Sequence, residues 1–85
     1  MQYTPPYPLS LLRAAHRGTA HGDALTIVAV IPEAHRAAHV PRRVSGPVIG
    51  IGSLISVHDR DTDRLVEDIR SEWITHATVE RGRPG

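Results

Sequence analysis

Apolar and polar positions along this chain alternate with two different periods, and each change of period marks an expected element. Ala24 to Ile31 is almost uninterrupted in apolar character, rich in β-branched side chains and closed by Pro32. Such a run predicts a strand over 24–31, buried on both faces. Val44 to Val57 is a 14-residue stretch without a charge. Within it, residues 47–57 predict a second strand, where Gly50 and Gly52 signal a bulge or a close backbone approach, and the pattern slips at Leu54-Ile55 as a bulge requires. The period then lengthens. Leu65, Val66, Ile69 and Trp73 recur at helical spacing, with Glu67, Asp68, Arg70 and Glu72 on the other side, which predicts an amphipathic helix over 61–73. From Ile74 to Glu80 the pattern alternates again and predicts a last strand with one polar face, an exposed edge.

Ahead of these lies a shorter helical pattern. Leu11, Leu12 and Ala15 share one side of a segment near 10–17, capped by Ser10 and stopped by Gly18. Residues 1–8 hold three prolines, which remove backbone donors and fix φ, so they form an extended arm. His21-Gly22-Asp23 reads as a turn and residues 81–85 as a tail. Residues 33–43 fit one or two helical turns or a loop. The expected fold is a single α+β domain over 9–80: a two-layer sandwich with a three-stranded sheet (24–31, 47–57, 74–80) and two helices (10–17, 61–73) on one face.

A chain of 85 residues without cysteine has a thin core and no disulfide or thiolate staple, so association is its simplest route to added stability. Its net charge is +1, split as +3 over residues 1–43 and −2 over 44–85, which is no nucleic-acid signature. All ten basic residues are arginine, and Lys, Asn and Phe are absent, the composition of a strongly GC-biased genome, as in bacteria or phages. No signal peptide or spanning segment is apparent, so a cytoplasmic protein without a membrane partner is expected.

The chemistry-bearing residues form few constellations. Asp59, Asp61 and Asp63 are spaced like the opening of a calcium loop, but Arg64 and Arg70 stand where that loop needs glycine and glutamate. They are read instead as anions at a helix start. Of six histidines, His35 and His39 would share a face if their segment were helical, but zinc needs three or four ligands, no cysteine is present, and Asp or Glu would have to come from far away in sequence. The glycines of 46–52 match neither dinucleotide-binding nor phosphate-loop spacing. No cofactor is expected. His35, Arg36, His39, Arg42 and Arg43 place a basic cluster on the one long connection, a candidate holder for a small anionic ligand. Thr75, Ala77 and Val79 of the last strand, with Trp73 beside it, are the expected interface.

The order helix, strand, long loop, strand, helix, strand resembles a ferredoxin-like unit lacking its first strand, as in PII-like signalling proteins. By that likeness His35 to Arg43 is a loop reaching toward a partner or nucleotide. Asp23 to Pro32 and Val79 to Pro84 are also similar to strand edges in universal stress proteins, a nucleotide-binding family. The expected function is a small non-catalytic binding or regulatory module, working as a homo-oligomer or as an accessory subunit of a larger protein. The alternative is an anion- or nucleotide-binding protein using the basic loop.

Overall fold

A computed structural model describes residues 2–19 and 22–82. Met1, Ala20, His21 and 83–85, which hold parts of the expected arm, turn and tail, lie outside the described residues. The elements are β1 (Gln2–Tyr3), α1 (Leu9–Arg17), β2 (Ala24–Val30), β3 (Arg43–Ile51), β4 (Ile55–Asp59), β5 (Arg64–Ile69) and β6 (Ile74–Glu80), with 3₁₀ turns at Glu33–His35 and Ser71–Trp73. Five antiparallel strands make the sheet, extended at one margin by the two-residue β1, in the order β1-β6-β2-β3-β4-β5. This replaces the expected three-stranded sheet with two helices, and with it the ferredoxin-like, PII-like order. No helix among the described residues is long and apolar enough to cross a membrane.

Two corrections account for the difference. The segment 61–73 is not a helix but a hairpin tip, β5 and a 3₁₀ turn. In β5, Val66 pairs with Val57 and Ile69 with Ile55, so three steps on β5 oppose two on β4. That extra residue is a β-bulge. It puts Val66 and Ile69 on the same inward face three residues apart, a spacing that imitates a helix, while Leu65 is left 50 % exposed. The uncharged run is likewise not one strand but two, reversed at Gly52-Ser53-Leu54, where the Gly52 N–H donates to the Leu54 carbonyl at 2.9 Å. A loop of three to five residues containing glycine is a hairpin signal, masked here by the apolar residues on both sides.

Bulges recur in β3, where Ile49 is the extra residue opposite β4, and in β6, where Thr75 is the extra residue opposite β2. Each bends its strand and increases its twist. The sheet therefore curls on itself: Val66 and Ile69 of β5 join one core cluster with Ile74 and Ala77 of β6, although those strands stand far apart in the strand order. β3 makes the corner, pairing with β2 through Arg43–Pro47 and with β4 through Val48–Ile51. The curl needs glycine at position 46, where a Cβ would run into the His58 carbonyl oxygen.

Because the sheet supplies most of its own cover, one helix suffices. α1 lies against β2 and β3 and buries Leu12, while Arg13 donates to the Gly52 carbonyl at 2.7 Å. Its N-cap is Pro8 rather than Ser10, and His16 and Arg17 sit in its last turn, where the helix dipole favours cations.

The arm is not free. Gln2 and Tyr3 pair with Thr78 and Ala77 of β6, and Tyr7, 5 % exposed, donates its hydroxyl to the carbonyls of Tyr3 and Thr75 at 3.1 and 3.4 Å. The last strand is thus flanked by β2 along its length and, on the other side, by the arm at Ala77 and Thr78, with the Tyr7 hydroxyl reaching Thr75, so the expected exposed edge along 74–80 is covered in its middle. Among the described residues, the long margin without a neighbouring strand is β5.

Candidate functional site

The β4–β5 hairpin is organised by one residue. Asp59 has no exposed surface. Its Oδ1 accepts from the Ser45 backbone N–H at 3.1 Å, and its Oδ2 accepts from the Thr62 backbone N–H at 3.1 Å and the Thr62 hydroxyl at 2.7 Å. Burial pushes this carboxyl up, but the Thr62 and Ser45 bonds outweigh burial and hold it below the ordinary carboxylate value. Asp63 takes a left-handed backbone conformation (φ 56°) and meets His58 Nε2 at 2.9 Å. Asp59 therefore ends β4 and Asp61 and Asp63 lie in the turn, instead of forming a helix start, and both oxygens of Asp59 are turned to internal donors. From the same hairpin Arg60 reaches Glu80 with two bonds, at 3.2 and 2.6 Å, and holds that carboxyl below its usual range. The hairpin is thereby pinned to both β3 and β6, and β5 is presented in a fixed position.

Across from the outer margin of β5 stands the connection from β2 to β3. The Ile31 N–H donates to the Arg42 carbonyl at 2.7 Å, and within the loop His35 N–H bonds Pro32 and Val40 N–H bonds Ala37. These tight turns give the loop a defined shape. Between it and β5 lies a cleft of about 290 Å³. One wall is Thr62 and Arg64 to Asp68, the other is Ile31, His35, His39, Val40 and Pro41, and Trp73 lines it as well. The His35 ring stands 5.3 Å from Trp73, tilted by 49°, and the Arg70 guanidinium lies 5.5 Å from the same indole. Trp73 is partly buried against the core, so the cleft has an aromatic surface anchored from beneath.

The residues expected to act together are divided by this geometry. His35 and His39 line the cleft; Arg36, Arg42 and Arg43 do not. Arg36 lies 4.0 Å from Glu33, and Arg42 and Arg43 are exposed where β3 begins. Among the expected interface residues, Trp73 belongs to the cleft. Ala77 is fully buried between β1 and β2, Val79 is partly buried, and Thr75 is the bulged residue whose hydroxyl donates to the Val28 carbonyl at 3.2 Å. Sequence reasoning missed the β5 wall because it read those residues as the polar face of a helix. The available signal was the pair of residues between Val66 and Ile69, which fits a bulge as well as a helical turn.

Among the described residues no three His, Asp or Glu side chains gather as metal donors. What the cleft offers is an open strand margin, an aromatic surface and charges of both signs, the means to bind an extended chain. No family model, curated protein or solved structure matches this chain, and the cleft is read from its own chemistry.

Proposed function

We propose that the protein is a small binding module that joins a larger assembly by accepting an extended segment of a partner along β5. The observation that carries this reading is the margin of β5, which has no neighbouring strand among the described residues and opens onto a cleft walled by the 31–41 loop and Trp73. A strand margin presents unused N–H and C=O groups as a template for another chain; the bulge and the exposed charges of β5 restrict that template to a complementary chain, whereas other margins are covered. On the other margin this chain supplies that cover with its own N-terminal arm. Added strands gain affinity from main-chain hydrogen bonds and specificity from pockets for alternate side chains. Here the Asp59 and Arg60 contacts hold the template in place before the partner arrives, which lowers the ordering cost of binding.

The test is selection of binders from a random peptide library, followed by amide shift mapping and hydrogen exchange. Bound peptides are expected to shift residues 31–41 and 64–69 and to slow exchange of β5 amides. Shifts centred on α1 or on the outer face of β2, with β5 exchange unchanged, reject the proposal.

A further inference from the structure

Three charges on the β5 wall, Arg64, Glu67 and Asp68, take no part in the ion pairs found among the described residues. Those pairs join Arg36 to Glu33, His58 to Asp63, Arg60 to Glu80 and Arg70 to Glu72. The bulge leaves both Glu67 and Asp68 exposed, so the wall presents a cation at its start and two anions toward its end. Between them Leu65 is 50 % exposed. Opposite charges facing each other across a strand pair stabilise it and like charges oppose it.

We infer that the occupant of the cleft is a partner segment running antiparallel to β5, with a basic residue first, an apolar residue inside and an acidic residue last. The basic and acidic residues stand about three positions apart, because the bulge absorbs one residue of β5. The basic side chain meets Glu67 and Asp68, the apolar one covers Leu65, and the acidic one meets Arg64. Antiparallel pairing is favoured because it is the slightly more stable arrangement per residue, and every strand pair already in this sheet is antiparallel. A second copy fits the margin less well. Two β5 strands paired antiparallel about Val66 set Leu65 against the Glu67-Asp68 bulge and Arg64 against Ile69, apolar against charged at both positions. This inference rests on the proposed strand-accepting role and specifies the ligand for it.

Two probe peptides of equal composition test it. One carries lysine, threonine, valine and aspartate in that order between neutral flanks, and in the other the lysine and aspartate are exchanged. Affinity is read by titration of β5 amide shifts. The first peptide is expected to bind about five- to tenfold more tightly than the second, the scale of two exposed cross-strand charge pairs. The preference is expected to invert in the triple variant Arg64→Glu, Glu67→Arg, Asp68→Arg. The wild-type comparison stands even if that variant fails to fold. Equal affinities with β5 amides protected overturn the charge pattern and leave the strand-accepting role intact. No protection of β5 by these or by library-selected peptides overturns both. A dimer in light scattering whose β5 is closed to both peptides assigns the margin to a second copy and overturns the inference.

Discussion

Asp59 provides the sharpest test of how this fold is held, because one buried carboxylate ties three segments. Replacing it with alanine removes the acceptors of the Ser45 and Thr62 backbone N–H groups and of the Thr62 hydroxyl. A hydrogen bond to a charged group contributes about 1.5–3 kcal/mol. Losing the two backbone donors' acceptor therefore costs about 3–6 kcal/mol, against a total stability of about 4–13 kcal/mol for a domain of this size. Asp59→Asn keeps the shape and one acceptor oxygen but turns an NH₂ group toward a donor, so about half that loss is expected. Urea unfolding followed by the fluorescence of Trp73, the one tryptophan of the chain, measures both. The pH dependence supplies an independent sign. The folded carboxyl lies below its ordinary value near 3.8 because the hydrogen bonds from Thr62 and Ser45 overcome the opposing effect of burial. Its contribution is therefore fully present above the unfolded value and is lost as pH falls through the folded value. Wild-type stability should thus fall more steeply below about pH 4 than that of Asp59→Asn. An alanine variant within about 1 kcal/mol of wild type, or equal acid slopes for wild type and Asp59→Asn, would refute this account of the hairpin.

Two further substitutions probe the curl and the covered margin. Gly46→Ala places a methyl group against the His58 carbonyl and is expected to cost about 1–3 kcal/mol or more in urea unfolding, whereas Gly50→Ala, with nothing within 4 Å of its added Cβ, should change stability by less than about 0.5 kcal/mol; equal effects would mean that β3 is not pressed against β4. Tyr7→Phe should cost about 0.5–1.5 kcal/mol through its lost hydroxyl bonds and Tyr7→Ala about 3–5 kcal/mol, with hydrogen exchange at Thr75 to Thr78 accelerated in the alanine variant; unchanged exchange there would show that the arm does not cover β6.

The parts of the fold legible in the sequence are those whose periodicity runs unbroken. Residues 24–30 and 74–80 form strands and 9–17 a helix within a residue or so of the expected limits. The failures all trace to bulges and turns made from residues that look like something else. Val66 and Ile69, three apart, satisfy a helical period, and Asp59-Arg60-Asp61-Thr62-Asp63 ahead of them satisfies the chemistry of a helix start. Yet the same acidic residues suit a turn, since Asp and Asn side chains bond the backbone a few residues on and tolerate a left-handed conformation. Local pattern cannot choose between these outcomes. The choice is made by Ser45, whose N–H lies fourteen residues away in sequence and turns Asp59 inward. His35, Arg36, His39 and Arg42 lie on the connection and Arg43 opens β3, but a count of arginines says nothing about their directions, and of these five only the two histidines line the cleft.

The position of the open margin follows from the same bulges. Without β1, a flat sheet of this order would have β6 and β5 as its two outer strands, and both would stand open to other chains. Curling lets a single core be shared from β5 round to β6, so a short chain fills its interior with one helix and leaves its N-terminal residues available for another task. They are spent on β6, where Tyr3 and Tyr7 reach the strand. Among the described residues no comparable segment covers β5, because the loop that faces it is held to its own turns and stays across a cleft. The bulge at Glu67-Asp68 and the charges on it act against pairing with an arbitrary strand, so a partner must supply complementary charges to gain the main-chain bonds. Openness and selectivity at β5 therefore have one origin, the extra residue that the helical spacing of the sequence concealed.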